Sequence, residues 1–361
     1  MVIGLLRVEN LRSFAAAELS LAPGVNLFLG ANGAGKTSLL EAIYLLSHAR
    51  SFRAGPKESL VRLGATGLSV FAEVASSRDE VRERIGLARV GSRWQARING
   101  ESPKSLDELL RKVAVVCFEP GTHELIAGAG EGRRSFLDWT LFHVEPEFLP
   151  NWNRYQRALK QRNSLLRSGT APISLGPWNI ELSRAGEELD DCRRRLFEKW
   201  RPLVAQCLGQ FLPELGDCRS DYSRGWQEGQ SLAVALDQCE DRDLFRGFTT
   251  VGPHRADWSL GFELAPQREH LSRGQAKLCG LACVLAQGMT LQAHLGRWPI
   301  VCLDDLASEL DEAHQRVVLK FLGQTDAQVL ISGTAEPAGL AESGIPVHRF
   351  HVEQGQATPL L

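Results

Sequence analysis

Gly30-Ala31-Asn32-Gly33-Ala34-Gly35-Lys36-Thr37 fits the pattern GxxxxGK[ST] at every fixed position, and no other stretch restricts the fold as tightly. Glycines at this spacing let successive backbone N–H groups turn inward around a phosphate, with a helix start behind them. The flanks agree. Val25 to Leu29 is a short apolar run that reads as a buried strand, and Leu39, Leu40, Ile43 and Leu46 recur at helical spacing over Ser38 to Ser47. Strand, glycine turn and helix in that order belong to an α/β sheet. Lys36 is expected to reach the β- and γ-phosphates of ATP and the Thr37 hydroxyl to hold Mg²⁺, with Gly30 to Ser38 forming the cradle.

Roughly 270 residues further on, Pro299-Ile300-Val301-Cys302-Leu303-Asp304-Asp305 is an apolar strand running into two carboxylates. The carboxyl end of a parallel strand faces the ligand crevice, so Asp304 is expected beside the Mg²⁺. Asp305 is then placed to orient or deprotonate the attacking water. Lys36, Asp304 and Asp305 form the expected catalytic set. Between loop and carboxylates, Leu271-Ser272-Arg273-Gly274-Gln275 opens a helix. Ser272 is a good N-cap and as such needs no further role. A hydroxyl, the small Gly274 and free N–H groups at a helix start also make a second anion site. One chain has little use for two such sites on one nucleotide. Two chains head to tail do, each setting this helix end against the γ-phosphate held by the other, with Ser308-Glu309-Leu310-Asp311 at the same seam.

Strand patterns open the chain at Val2 to Val8 and Ala17 to Leu21 and return over Leu68 to Ile98, where Asn99-Gly100 suggests a tight turn of an antiparallel sheet. Val113 to Phe118 reads as another buried strand. Helical periodicity then takes over: Arg133 to Phe142, Glu147 to Arg167 and Pro177 to Phe211, the last two separated by a break at Ser168-Gly169-Thr170-Ala171-Pro172. Strands are expected again at Phe248 to Val251, Trp258 to Leu264, Ile300 to Leu303 and Gln328 to Ile331, with helices over Ser272 to Ala293 and Glu312 to Leu322. The pattern is an α/β domain over 1–119 and 266–361, interrupted by a mainly helical lobe over 120–265.

The charge balance is close to even, 41 Lys plus Arg against 43 Asp plus Glu, which argues against coating nucleic acid by bulk charge. The average hides one segment. No acid occurs between Glu147 and Glu181, while Arg154, Arg157, Lys160, Arg162 and Arg167 fall in one helix. Such a run is either a solvated face or a DNA contact, and Arg154, Arg157, Lys160 and Arg162 are the candidates for the latter. His254-Arg255 either brace the lobes or approach phosphate. Eight cysteines (117, 192, 207, 218, 239, 279, 283, 302) show no CxxC pair or disulfide framework. With no leader and no unbroken apolar run of about 18 residues, a soluble cytoplasmic protein is expected.

Together these features resemble the ATP-binding-cassette ATPases. Val8-Glu9-Asn10-Leu11-Arg12-Ser13-Phe14 narrows the likeness to the branch of SMC, Rad50 and RecF proteins, and no heptad stretch is long enough for the arms of SMC or Rad50. Ser51-Phe52-Arg53, Arg133-Arg134-Ser135-Phe136-Leu137-Asp138, the run Tyr155 to Leu166, Gly252-Pro253-His254-Arg255 and the Leu303-Asp304-Asp305 stretch are similar to the RecF family over essentially the whole chain. The resemblance implies a P-loop ATPase head, a mixed sheet with helices and an antiparallel β layer, carrying a helical lobe. It implies an ATP-dependent homodimer that binds single-stranded, gapped and junction DNA, and works with RecO and RecR to help load RecA. Slow, DNA-stimulated hydrolysis would act as a switch, with no membrane partner. By the same resemblance Asn10, Arg12 and Ser13 lie against the nucleotide, Glu119-Pro120 senses it, and Ser272, Gly274 and Gln275 are signature residues.

The sequence also departs from relatives. Arg273 stands where transporter-type cassettes carry Gly, and the second carboxylate is Asp305 rather than Glu, one methylene shorter. Ser332-Gly333-Thr334 occupies the place of a transporter's switch histidine, and Gly121-Thr122 follows Pro120 where an acidic pair is usual. A transporter ATPase subunit and a small-molecule kinase share the phosphate loop. The first predicts that histidine, and the second has no need of Leu271 to Gln275.

Overall fold

In the computed structural model the described residues are 1–53, 55, 57–75, 82–168 and 175–360. Among them the strands of the first half are β1 (Val2–Leu11), β2 (Phe14–Ser20), β3 (Val25–Leu29), β4 (Gly67–Ala75), β5 (Glu83–Val90), β6 (Arg93–Ile98) and β7 (Val115–Phe118). Those of the second are β8 (Cys218–Ser223), β9 (Asp257–Phe262), β10 (Ile300–Leu303), β11 (Val329–Gly333), β12 (Val347–Glu353) and β13 (Gln356–Leu360). The chain divides into two compact units: Met1–His123 with Gln210–Leu212 and Arg273–Leu361, and Glu124–Gly209 with Pro213–Ser272.

The first unit is α/β. Its central sheet has the order β13-β12-β3-β11-β10-β7, with β12, β3, β11, β10 and β7 mutually parallel and β13 antiparallel at the edge. All four residues of β10 and all five of β11 are buried, as expected of strands covered on both faces. The strand carrying the phosphate loop and the strand carrying the carboxylates are therefore not neighbours; β11 lies between them. A second sheet, β2-β1-β4-β5-β6, is antiparallel throughout. There Val70, Ala72, Val74, Ile85 and Leu87 alternate inward, which fixes register because a one-residue slip would expose them all. Asn99 and Gly100 both take positive φ, 53° and 89°, at the turn foreseen from the sequence. The helix Arg273–Leu295 is long and apolar enough to cross a membrane by composition, yet 72% of its apolar window is buried inside the fold.

The second unit is mainly helical, built on Gly130–Val144, Phe148–Ser168 and Gly176–Phe211, the last ending in Gln210 and Phe211 of the first unit. Beyond Ser168, the break foreseen at 168–172 lies outside the described residues. One expectation needs correction. Phe248–Val251 is not a strand but a loop. Thr249 donates its N–H and hydroxyl to the Asn163 Oδ1, and Thr250 donates both to the Asp243 Oδ1, so side chains replace a neighbouring strand. The strand expected at Trp258 to Leu264 is β9, and it pairs with β8, which the sequence did not announce. The hairpin of β12 and β13 was also unforeseen, since its turn, Gln354-Gly355, is not a common hairpin pair and Pro359 sits within β13.

Candidate nucleotide-binding site

β3 ends at Leu29, and the chain turns through Gly33 and Gly35, with φ of 80° and 114°, into the helix Lys36–His48. These are left-handed values that glycine adopts without strain. Gly30 answers a different demand: a Cβ there would stand 2.1 Å from the carbonyl oxygen of Val352 on β12. Lys36 is 5% exposed and its ammonium donates to the carbonyls of Gly30 (2.9 Å) and Ala31 (2.8 Å). An ammonium has three donors, so the third remains for an anion in the loop.

The carboxylates meet this loop. Asp304 is 4% exposed, and its Oδ1 accepts from the Thr37 hydroxyl at 2.8 Å and from the Ser332 hydroxyl at 2.5 Å. Burial raises its pKa, opposed by those two hydrogen bonds and by the charge of Arg53. The Ser332 oxygen also accepts from the N–H of Asp305 at 3.1 Å. Asp305 takes left-handed backbone angles (φ 53°, ψ 37°), and its Oδ1 is buried without a hydrogen-bond partner among the described residues. Two hard oxygen donors, Thr37 Oγ1 and Asp304 Oδ1, thus stand together as a divalent cation requires.

The Asn10–Ser13 segment lies alongside. Asn10 and Arg12 both have positive φ, 50° and 53°, and a Cβ on Gly35 would stand 2.9 Å from the Ser13 hydroxyl. Arg12 grips the fully buried Glu41 with two donors, at 2.8 and 2.7 Å, and donates to the Ser59 carbonyl and hydroxyl. Ser51 also donates to Glu41. Burial raises the pKa of Glu119, whose carboxylate accepts from the N–H of Gly121 at 2.6 Å.

Comparison with known proteins identifies the family. Residues 2–354 match the family described as RecF/RecN/SMC N terminal domain. A protein of Xanthomonas oryzae pv. oryzae named DNA replication and repair protein RecF is 47% identical over 97% of this chain and 98% of its own length. The chain belongs to the RecF family. A relative of the same name from Shewanella baltica is 37% identical over 98% of each chain. The solved structure of the recombination mediator protein RecF with ATP is 26% identical, covers 99% of this chain and 97% of its own, and superposes with a TM-score of 0.88. An Smc head, at 15% identity and a TM-score of 0.62, shares the fold.

Other foreseen residues are placed less uniformly. Ser272, Arg273 and Gly274 are exposed at the start of the helix Arg273–Leu295, with Gln275 half-buried behind them. Lys277 of that helix pairs with Glu309 at 2.6 Å, so the stretch Ser308 to Asp311 does lie beside it. In the second unit, Arg157 and Lys160 are exposed. Arg154 is instead held by Glu181 (2.8 Å) and Glu188 (3.3 Å) of the next helix, acids that a linear scan of one helix does not weigh. Arg162 is a correction: it is fully buried and pairs with the equally buried Asp243 at 2.7 Å, so it is no DNA contact. Its seven-residue and four-residue spacing to Tyr155 and Leu166, both buried, marks it as an inward position.

Sequence reasoning missed Glu41 and Val352, and it named Ser332 without its contacts to Asp304 and Asp305. Ser332 follows Ile331, which is in register with Leu303 just before Asp304, so the end of β11 was its signal. Glu41 is an acid within an otherwise apolar helix face, a usable warning of a buried pair. Val352 carried none.

Proposed function

We propose that the chain is an ATP-driven DNA-binding switch of recombinational repair, with the first unit as ATPase domain and the second as the inserted lobe. The reading rests on one observation above all: the Thr37 hydroxyl on the Asp304 carboxylate, which closes the phosphate loop onto the end of β10. Glycine-loop N–H groups and Lys36 bind the triphosphate. Thr37 and Asp304 are the residues that would hold a Mg²⁺ ion, which would supply positive charge against the triphosphate. Ser332 keeps Asp304 oriented and supports the backbone of Asp305, whose unpartnered oxygen is available to a water. Asp305 takes a proton of that water as its oxygen attacks the γ-phosphorus, while the bond from that phosphorus to the β–γ bridging oxygen breaks and ADP and inorganic phosphate leave. The shorter reach of an Asp suits slow turnover.

Ser272, Gly274 and Gln275 present an exposed helix start for the γ-phosphate held by a second copy, so ATP joins two chains head to tail and hydrolysis releases them. Arg157 and Lys160 supply sequence-independent phosphate contacts to single-stranded, gapped or junction DNA, consistent with relatives named for DNA replication and repair. RecO and RecR, and through them RecA, are the expected partners, since a similar structure is that of a mediator in the RecFOR pathway. A cytoplasmic location follows from that role. Light scattering with ATP and Mg²⁺, with and without gapped DNA, tests the whole. Mass should double with ATP and rise again with DNA; a mass unmoved by ATP sinks the dimer, and hydrolysis unaffected by DNA sinks the switch.

A further inference from the structure

The turn between β12 and β13 touches the phosphate loop from a direction that nucleotide chemistry does not explain. Gln354 and Gly355 both take left-handed angles, φ 48° and 75°. The Gly355 N–H donates to the Ala34 carbonyl at 3.2 Å. In a trans peptide the carbonyl and the following N–H point in opposite directions. Holding the Ala34 carbonyl outward on Gly355 therefore aims the Gly35 N–H inward, toward the space where a phosphate oxygen is bound. The same glycine lies against the other loop of the site: a Cβ on Gly355 would stand 2.4 Å from the Ser13 carbonyl oxygen and 3.0 Å from its carbon. Three residues before Gly355, the Val352 carbonyl occupies the space a Gly30 side chain would need. Phe350 of β12 stacks on Phe28 of β3 with centroids 5.1 Å apart, so the hairpin is anchored on the strand that carries the loop.

We infer that the C-terminal hairpin positions the phosphate loop, with Gly355 fixing the Ala34–Gly35 peptide plane and the Ser13 backbone together. The inference rests on the nucleotide-binding reading above. Gly355 is a positioning residue, acting on phosphate through Gly35. The backbone is the lever, so the contact is invisible to a motif that records side chains only.

The test compares Gly355→Ala with Gly344→Ala. Both glycines have positive φ, 75° and 70°, but nothing lies within 4 Å of a Cβ on Gly344. The two substitutions impose similar backbone strain, and only the first drives a methyl into Ser13. ATP affinity by titration calorimetry should fall about tenfold or more in Gly355→Ala and stay near wild type in Gly344→Ala, with the melting temperature lowered in both and further in Gly355→Ala. Equal ATP affinity in the two variants overturns the inference. Should Gly355→Ala fail to fold, amide exchange in the wild-type chain decides. A turn that positions the loop must itself be stabilised when ATP occupies it, so the Gly355 amide should exchange more slowly with saturating ATP. An unchanged rate overturns the proposal. A wild-type chain that binds ATP and loses it in Lys36→Ala, while Gly355→Ala binds normally, defeats the hairpin's role and leaves the nucleotide reading intact. A wild-type chain that binds no ATP defeats both.

Discussion

Apart from the completed Arg12–Glu41 pair of the first unit, the two units hold their buried charges differently. In the second, each buried guanidinium has its own carboxylate: Arg162 with Asp243, Arg193 with Asp138 and Arg133 with Asp257, each at 2.7 Å. Arg193 also donates to the Pro253 carbonyl at 2.6 Å and Arg133 to the Gly128 carbonyl at 2.9 Å. In the first, Lys36 and Asp304 are buried to a similar degree, yet among the described residues neither has an ion-pair partner within 4.0 Å. Lys36 rests on carbonyls and Asp304 on hydroxyls. A buried charge without a counter-charge costs several kcal/mol, so folding alone does not favour the second arrangement. Completed pairs mark architecture, and incomplete ones mark a place where a ligand supplies the missing charge.

Four variants can break or sharpen that contrast. Lys36→Ala should weaken ATP binding by about a thousandfold, because the triphosphate loses its cation in a desolvated site, while the melting temperature changes little. Calorimetry with ATP decides; undiminished affinity removes Lys36 from the site. Arg162→Ala should do the reverse, costing about 3 kcal/mol of stability by stranding Asp243 and leaving ATP affinity untouched. Chemical denaturation monitored alongside nucleotide binding tests it, and a loss of ATP affinity without loss of stability would contradict the contrast. Asp305→Asn should slow hydrolysis about a hundredfold while the ATP-bound dimer persists by light scattering. A variant that stays monomeric with ATP shows that Asp305 does more than activate water. The smallest effect belongs to Arg157→Glu with Lys160→Glu, expected to weaken DNA binding about tenfold and to flatten its salt slope by about 2. An unchanged slope makes that surface a solvated helix face.

A pH dependence follows within the second unit. His254 accepts from the Tyr155 hydroxyl at 2.6 Å and, through its other nitrogen, donates to the Thr249 carbonyl at 3.0 Å, the pattern of a neutral ring. Burial pushes its pKa down to about 4 from the ordinary 6.5. Because the folded value is the lower one, the stability is fully present above pH 6.5 and erodes as the pH falls toward 4. A melting temperature flat across that window would contradict a neutral buried His254. The structure thus favours bracing for His254, while the exposed Arg255 lies over the Phe248 ring at 5.4 Å.

Much of the site was legible because its chemistry is local in sequence. The phosphate loop is eight consecutive residues, and a strand ending in Asp304-Asp305 carries its own direction. The resemblance stretches of the second unit were legible too, but their meaning was not. Asp138, Tyr155, Arg162 and His254 look like conspicuous polar residues in a line of text. In space Asp138 takes Arg193, Tyr155 takes His254 and Arg162 takes Asp243, which makes them core packing rather than a surface for DNA.

The sequence by itself pointed to nucleotide chemistry and determined the alternation of β and α around the glycine loop, since glycine spacing and hydrophobic period act over a few residues. Tertiary structure alone decided which charges remain unpaired and which peptide planes face the ligand. Those depend on partners such as Ser332, Glu181 and Gly355, which the chain brings in from tens to hundreds of residues away. A backbone N–H or a counter-ion leaves no trace in a residue's own neighbourhood, so only the folded register of β3, β11 and β12 shows what the loop rests on.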